Sequence, residues 1–399
     1  MLSVTEAQHA ILADIRPLPP ETVDLPDALG RVLAEDVQSD IDLPPFDNSS
    51  MDGYAVHAAD VIDAAPDRVV RLPVIADVPA GHPIDLVVPD GAAVRITTGA
   101  MLPRGVNAVV PVEDTDDGAR GASRLPESIG IRRRVEAGAF VRYAGDDVKR
   151  GAQVLRAGAV IRPAEIALMA AVGHTRVRVH RRPRVAVLST GDELVEPDQT
   201  PGPGQIRDVN ASAVAALVVQ YGGQPVRLGV ARDDFDGVTA KLESAIGQGA
   251  DVIVASAGVS VGAYDLVKDV VSAHGSINLW RVRMRPGKPL AFGHYRNVLF
   301  FGLPGNPVSA MLTFEQFVRP VLQVMAGFSQ WRKTTITVTL QEAVDSDGRE
   351  TYARAWIERD GERWVARLSG GQGSNVLSSL VRANALVIVP DGVTRLPPG

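Results

Sequence analysis

The chain is 399 residues long, with a net charge of −6, 45% hydrophobic and 22% charged residues, and no cysteine. The acidic balance excludes broad, sequence-independent nucleic-acid binding, which needs a positive field. The missing thiols exclude disulfides, iron–sulfur clusters, thiolate metal sites and a cysteine nucleophile. No apolar run approaches the ~20 residues of a membrane span. The start, Met1-Leu2-Ser3-Val4-Thr5-Glu6, lacks the basic and apolar regions of a signal peptide. A soluble, cytoplasmic protein of roughly two to four domains is expected.

Ser3 and Glu6 have the spacing of a capping box, and Ala7, Ala10, Ile11 and Ile15 then fit one helix, ended by Pro17, Pro19 and Pro20. Residues 23–43 carry mixed signals. They lead into Pro44-Pro45-Phe46-Asp47-Asn48-Ser49-Ser50-Met51-Asp52-Gly53-Tyr54-Ala55-Val56, which is too rich in turn formers for a plain helix or strand. Short strands at 69–75, 92–97, 108–112 and 129–134, punctuated by Gly and Pro, predict a small β-domain. A helix follows at 163–172, with Pro163 in its first turn.

From Arg184 the rhythm changes. Strands are expected at 184–189, 226–230, 251–256 and 298–303, and helices at 211–221, 237–247, 264–274 and 308–325. This alternation predicts a parallel α/β sandwich. After Gly327, strands at 334–340, 352–357, 364–369 and 386–389 predict a second small β-domain.

The strand at 184–189 runs into Ser189-Thr190-Gly191-Asp192-Glu193. Hydroxyls, a flexible glycine and two carboxylates then sit at a strand's carboxyl end, where open α/β sheets bind ligands. Taken alone, such a run is a turn more often than a site. A glycine–serine loop with Ser256, Gly258, Ser260 and Gly262 follows the next strand, and its free N–H groups and hydroxyls suit an anion. It is neither a Walker loop nor a dinucleotide fingerprint. In Leu303-Pro304-Gly305-Asn306-Pro307-Val308-Ser309, Asn306 can be a helix N-cap and Pro307 the first helical residue, which exposes donors to an anion or simply starts a helix well. Arg281, Arg283 and Arg285 share one face if their segment is a strand. Such a run is usually a solvated basic edge, but beside the other loops it would clamp an oxyanion. The seven histidines show no metal-ligand spacing. Carboxylates beside hydroxyl-rich loops favour Mg²⁺.

The segments 45–55 and 95–100, the run 188–194, the loop 256–262, Pro286-Gly287-Lys288-Pro289 and the turn 303–309 occur in order along nearly the whole chain. Together they resemble the molybdopterin molybdenumtransferase family, which includes the gephyrin E domain. The resemblance implies four domains. They are an elongated dimerisation domain (1–50 with 148–180), a small β-domain (51–147), a molybdopterin-binding α/β domain (181–328) and a C-terminal β-barrel-like domain (329–399). It implies a homodimer and a reaction in which adenylated molybdopterin and molybdate give molybdenum cofactor and AMP, with a divalent metal.

In that frame Glu193, Asp233 and Asp265 would serve Mg²⁺, and Arg281, Arg285 and Lys288 would hold the molybdate dianion. Asp52, Thr98, Arg142 and Asp147 match residues on the β-domain side of the family's cleft. Ser189, Thr190, Gly191, Asp192, Ser256, Gly258, Ser260, Gly262, Pro304, Gly305, Asn306, Pro307 and Ser309 would contact substrate. Arg281 and Arg285 stand where lysines are usual in the family, Ala257 where a glycine is usual, and the sequence stops at Gly399, where the family usually continues into one more strand. The related molybdopterin adenylyltransferase is a single domain, which residues 1–178 and 330–399 argue against. A non-catalytic scaffold is the alternative of a different class, and the presence of Asp52, Glu193 and Asp265 argues against it.

Overall fold

The computed structural model describes residues 1–117, 124–256 and 266–399. The first helix is Val4–Leu12, and its capping box is present: Ser3 N donates to Glu6 Oε2 at 2.8 Å, and Glu6 N donates to Ser3 Oγ at 3.2 Å. Its buried face, Val4, Ala7 and Ile11, belongs to the same core as Val282, Phe317 and Val321, far along the chain. The strand Pro20–Asp24 then pairs antiparallel with Arg176–His180. Leu33 and Val37, from before the β-domain, share a core with Ile161, Met169 and Val179, from after it. The helix between, Pro163–Ala171, opens on its proline as expected.

The β-domain is a five-stranded sheet in the order Ala108–Pro111, Gly53–Val56, Ala93–Ile96, Val70–Val78, Ser128–Ile131. The strand Gly53–Val56 was concealed in the turn-rich segment, and all of it is buried. Gly53 is required there, because a Cβ would fall 2.0 Å from the Val110 carbonyl oxygen. This close approach fixes where Asp52, the preceding residue, leaves the sheet edge.

The α/β unit is built on a six-stranded sheet in the order Gln224–Ala231, Arg184–Thr190, Val252–Ser256, Val298–Leu303, Pro289–Tyr295, Gly275–Arg281. Through Val298–Leu303 the pairing is parallel. Gly275–Arg281 and Pro289–Tyr295 are antiparallel additions, so the sheet is mixed rather than purely parallel. Chain length decides this. A parallel crossover takes a dozen or more residues, and only Arg296 and Asn297 separate Tyr295 from Val298. The central strands are buried on both faces. Val185, Val187 and Val254 meet the helix Asn210–Gln220, and Ala186, Leu188 and Ile253 meet Phe235–Gly247 and Leu266–His274. The helix expected at 308–325 is interrupted: Pro307–Thr313, a π turn at Phe314–Val318, then Arg319–Met325. Pro320 has no N–H to give to the ladder, which accounts for the wider turn just before it.

The C-terminal unit is a five-stranded sheet around Glu350–Asp360, which forms a hairpin with Arg363–Leu368 and pairs with Ala385–Val389. The strand expected at 334–340 is reduced to Thr339–Leu340. Met284–Arg285, which in sequence belongs to the α/β unit, runs parallel to Glu350 and Thr351 as an edge strand of this C-terminal sheet. That splice carries the loop after Arg285 to the boundary between the two units. Among the described residues no helix is long and apolar enough to cross a membrane.

Candidate active site

Three strand ends of the α/β sheet lead into the expected loops. The hydroxyls at two of them do not face outward. Ser189 and Ser256 are 0% and 2% exposed, and their Oγ atoms lie 3.0 Å apart. They fasten neighbouring strand ends together, and Thr190 is buried beside them. Beyond them the loop turns sharply. Gly191 has φ +144°, and a Cβ there would lie 2.4 Å from the Glu193 carboxylate. Only glycine lets Glu193 fold back so closely.

Asp192 Oδ1 accepts a hydrogen bond from Asp233 N at 3.3 Å. Burial raises the Asp233 carboxyl above its usual value. A hydrogen bond from the Asp192 backbone N–H to that carboxyl opposes this, and the charges of Asp192 and Glu193 add to it. Carboxylates that repel one another in this way fit a hard cation with oxygen ligands. Asp265, Gly258, Ser260 and Gly262 lie outside the described residues. Among the described residues no group of three or more His, Asp or Glu has the geometry of a metal site; of the expected set, Glu193 and Asp233 lie among the described residues and Asp265 does not.

A cavity of about 550 Å³ opens beside this end of the sheet. Arg285, Lys288, Pro304, Gly305, Asn306 and Ser309, all expected from the sequence, line it. Pro307 starts the following helix. Asn306 is the N-cap residue, but its side chain makes no capping bond and stands at the cavity wall instead. Gly287 has φ +110°, and its missing Cβ leaves room for Thr313 Oγ1, 2.5 Å from where that atom would be.

Arg281 does not line this cavity. The segment is not one strand, so the three arginines do not share a face: Gly275–Arg281 ends, Arg283 pairs with Asp391 at 2.9 Å, and Met284–Arg285 joins another sheet. The chain breaks its strand here because it passes from one sheet to the next.

The far wall of the cavity comes from the C-terminal unit: Arg349, Gln372, Gly373 and Ser374. A smaller cavity of about 250 Å³ shares Arg285 and Gln372 and is lined by Arg354. Arg354 is 1% exposed. Its Nε donates to Ser379 Oγ at 3.1 Å, and its Nη2 donates to the carbonyls of Gly371 and Gly373 at 3.3 and 3.1 Å. Among the described residues no carboxylate pairs with Arg354, Arg285 or Lys288. Burial, and then the like charge of Arg285, lower the Arg354 pKa. Arg349 differs: it pairs with Asp347 and donates to the Met284 carbonyl at 3.0 Å. The Arg349 hydrogen bonds hold the Asp347 carboxyl at about 2. Among the described residues Arg285, Lys288 and Arg354 are thus the cations at this boundary without an ion pair, and an anion between Arg285 and Arg354 would relieve their repulsion.

Sequence reading missed the C-terminal contributors. The run Ser369-Gly370-Gly371-Gln372-Gly373-Ser374 has the same glycine–serine character as the loop after Ser256 and was the available signal. Arg354 gave none, because it sits within an alternating strand as an apolar residue would.

On the β-domain, Asp52 Oδ1 accepts from Thr98 N at 2.7 Å and from Thr98 Oγ1 at 2.8 Å. Arg142 lies on Val141–Arg142, opposite Asn48, and Asp147 N donates to Leu43 O at 3.0 Å. Ser49 N and Ala100 O, 3.0 Å apart, stitch the Asp52 segment to the Thr98 segment. Asp52 and Thr98 are therefore in contact; Arg142 lies on the strand paired with Asn48–Ser49, and Asp147 lies in the turn that follows it.

Family models cover most of the chain. The MoeA N-terminal region (domain I and II) matches residues 2–173, a probable molybdopterin binding domain matches 186–324, and the MoeA C-terminal region (domain IV) matches 337–399. A Nostoc protein named molybdopterin molybdenumtransferase is 39% identical over 386 residues, covering 95% of this chain and 87% of its own length. The chain belongs to the molybdopterin molybdenumtransferase family. A Haemophilus influenzae relative of the same name is 37% identical, covering 98% of this chain and 94% of its own. The solved structure of a Pyrococcus horikoshii molybdopterin biosynthesis MoeA protein superposes with a TM-score of 0.80 at 33% identity, covering 100% of this chain and 97% of that one. In this molybdenumtransferase the cavity between the α/β and C-terminal units joins the segment matched as molybdopterin binding to the segment matched as domain IV.

Proposed function

We propose that the chain transfers molybdenum from molybdate to adenylated molybdopterin, releasing molybdenum cofactor and AMP. The observation that carries this reading is a pair of adjoining cationic cavities at the boundary of two units: Arg285 and Lys288 line the larger, next to the turn Pro304-Gly305-Asn306, and Arg285 and Arg354 line the smaller, none of the three with a carboxylate partner among the described residues. Molybdate is a tetrahedral dianion, and guanidinium forks and an ammonium supply the charge and donors it needs. The metal ends on the two dithiolene sulfurs of the substrate, so the protein needs no thiol of its own, in keeping with a chain that has none.

The repelling carboxylates fit a Mg²⁺ ion, with Glu193, Asp233 and Asp265 as its holders. When bound, Mg²⁺ neutralises pyrophosphate charge and favours attack of water on the adenylate. The chain's own groups do the rest. The turn at Gly305 and Asn306 would offer its backbone N–H groups to substrate oxygens, while Pro307 has no N–H and the Val308 N–H is taken by the Ser374 carbonyl at 3.2 Å. Arg285 and Lys288 keep the oxyanion from the carboxylates that would repel it. Asp52, Thr98, Arg142 and Asp147 complete the cleft from a second copy in a cytoplasmic homodimer.

The test is turnover by the purified full chain: AMP released from adenylated molybdopterin, with molybdate and Mg²⁺ varied independently. AMP that appears only with both supports the reading. A non-catalytic scaffold would bind the pterin and release none, and full turnover in excess chelator would remove the metal from the account.

A further inference from the structure

Asn210 opens the helix Asn210–Gln220 and is 8% exposed. Its Nδ2 donates to the Gly305 carbonyl at 2.7 Å. An asparagine at a helix start ordinarily turns its oxygen onto the helix's own amides. Here Asp208 does that, its Oδ1 accepting from Ala211 N at 3.0 Å. Among the described residues neither Asn210 Oδ1 nor Asp208 Oδ2, both buried, has a partner. The Asn210 amide is thus committed outward, to the turn that lines the cavity.

The same stretch also grips the carboxylate loop. Ile206 N donates to Glu193 O and Asp208 N to Val195 O, each at 2.8 Å. Leu194–Val195 runs parallel to Ile206–Arg207. Residues 206–210 are therefore bonded at one end to the loop that carries Glu193 and at the other to the turn that carries Gly305. Gly305 is exposed and the Asn306 side chain does not cap the helix behind it, so on this side of the turn the other ties are the backbone bonds of Ala310 N to Asn306 O at 2.9 Å and of Val308 N to Ser374 O at 3.2 Å.

We propose that Asn210 is a positioning residue, which holds the Gly305–Asn306 turn at a set distance from the carboxylate loop and so gives the oxyanion cavity its shape. The inference rests on the cavity being the molybdate site, as proposed above. Misplacement of a binding group by about 1 Å is enough to cost a large factor in productive binding.

The test uses the full chain, with molybdate itself as the probe. Molybdate affinity is measured by calorimetry, KM and kcat by AMP release, and stability by thermal melting. Asn210→Asp keeps the side-chain shape and places an acid where the helix dipole favours it, but it cannot donate to Gly305. It is expected to weaken molybdate binding and raise its KM about 5–10-fold, the equivalent of one hydrogen bond of ordinary net strength, with kcat changed less. Val218→Ala, in the core of the same helix, lowers the melting temperature without touching the turn and should leave molybdate affinity intact. Asn210→Asp with wild-type molybdate affinity overturns the inference. So does an equal loss in Val218→Ala, which would make the effect one of helix stability alone. Arg354→Met distinguishes the two levels. If it too binds molybdate as wild type does, the cavity reading fails and the positioning role falls with it. If it binds weakly while Asn210→Asp does not, only the role of Asn210 is lost.

Discussion

Replacing Arg354 by methionine removes a buried charge while filling nearly the same space. The wild-type guanidinium makes hydrogen bonds to Ser379 and to the carbonyls of Gly371 and Gly373, and no carboxylate among the described residues neutralises it. For stability, the lost bonds and the carbonyls left without donors destabilise the variant, at about 1–3 kcal/mol for each buried group. Relief of an unpaired buried charge opposes them by a similar amount. The net change is expected to be small, a shift of a few degrees at most in melting temperature. Oxyanion binding has no such compensation. Unit charges ~5 Å apart at an effective dielectric of ~20 interact by ~3 kcal/mol. Allowing for screening, a loss of about 2–3 kcal/mol corresponds to roughly 30–150-fold weaker molybdate binding. The assay is the KM for molybdate in AMP release, with calorimetry of molybdate binding and a thermal melt on the same preparation. An unchanged molybdate KM in a folded variant would refute the reasoning, because a dianion in this cavity must feel the loss of that charge.

Arg281→Ala and Arg285→Ala should differ, although the two arginines lie close together in sequence. Arg285 lines the cavity and Arg281 does not, so molybdate KM should rise at least tenfold in the first-named cavity residue's variant, Arg285→Ala, and little in Arg281→Ala, on the scale of one lost charge-assisted contact. Equal effects would place the oxyanion nearer the end of the strand Gly275–Arg281. The Asp347–Arg349 pair predicts an acid limb of stability. Arg349 depresses the Asp347 carboxyl to about 2, so its contribution is full above the usual carboxylate value and disappears as pH falls from about 4 to about 2. Because Asp347 is 43% exposed, solvent screening limits the contribution to under about 1 kcal/mol. The difference in urea midpoint between wild type and Asp347→Asn should therefore shrink across that range, and a constant difference would contradict the pairing. Finally, in the proposed homodimer the Asp52→Ala and Glu193→Ala variants should each be nearly inactive, while a mixed dimer of the two regains one intact cleft. Mixed dimers, confirmed by mass, that stay as inactive as their parents would mean that each site is completed within one chain.

Much of the fold was legible because local pattern and burial agree in it. Val185-Ala186-Val187-Leu188 and Val252-Ile253-Val254-Ala255 are buried on both faces, and such strands announce themselves as continuous apolar runs. Ser3 and Glu6 announced the first helix because a capping box is a purely local device. The antiparallel edge was not legible. Gly275–Arg281 is largely exposed, with no apolar alternation to separate it from the end of the preceding helix. The strand Gly53–Val56 was obscured by turn formers on either side, and its glycine is explained only by the Val110 carbonyl that approaches it from another strand.

The candidate site divides in the same way. Lys288, Gly305 and Asn306 could be named because they lie in loops after strands. Arg354 and Ser374 could not be joined to them, because the parallel pairing of Arg285 with Thr351 that brings the two walls together is a contact between residues remote in sequence. The mutual hydrogen bond of Ser189 and Ser256 was hidden for a related reason: which neighbour a strand-end hydroxyl faces depends on which strands are adjacent.

Crystals of the full chain soaked in molybdate test most directly whether the oxyanion is taken up between the α/β and C-terminal units. Anomalous scattering at the molybdenum edge should give a peak within contact distance of Arg285, Lys288 and Arg354, lost in crystals of Arg354→Met. A peak at the Asp192–Glu193 loop instead, with the cavity empty, would contradict the account.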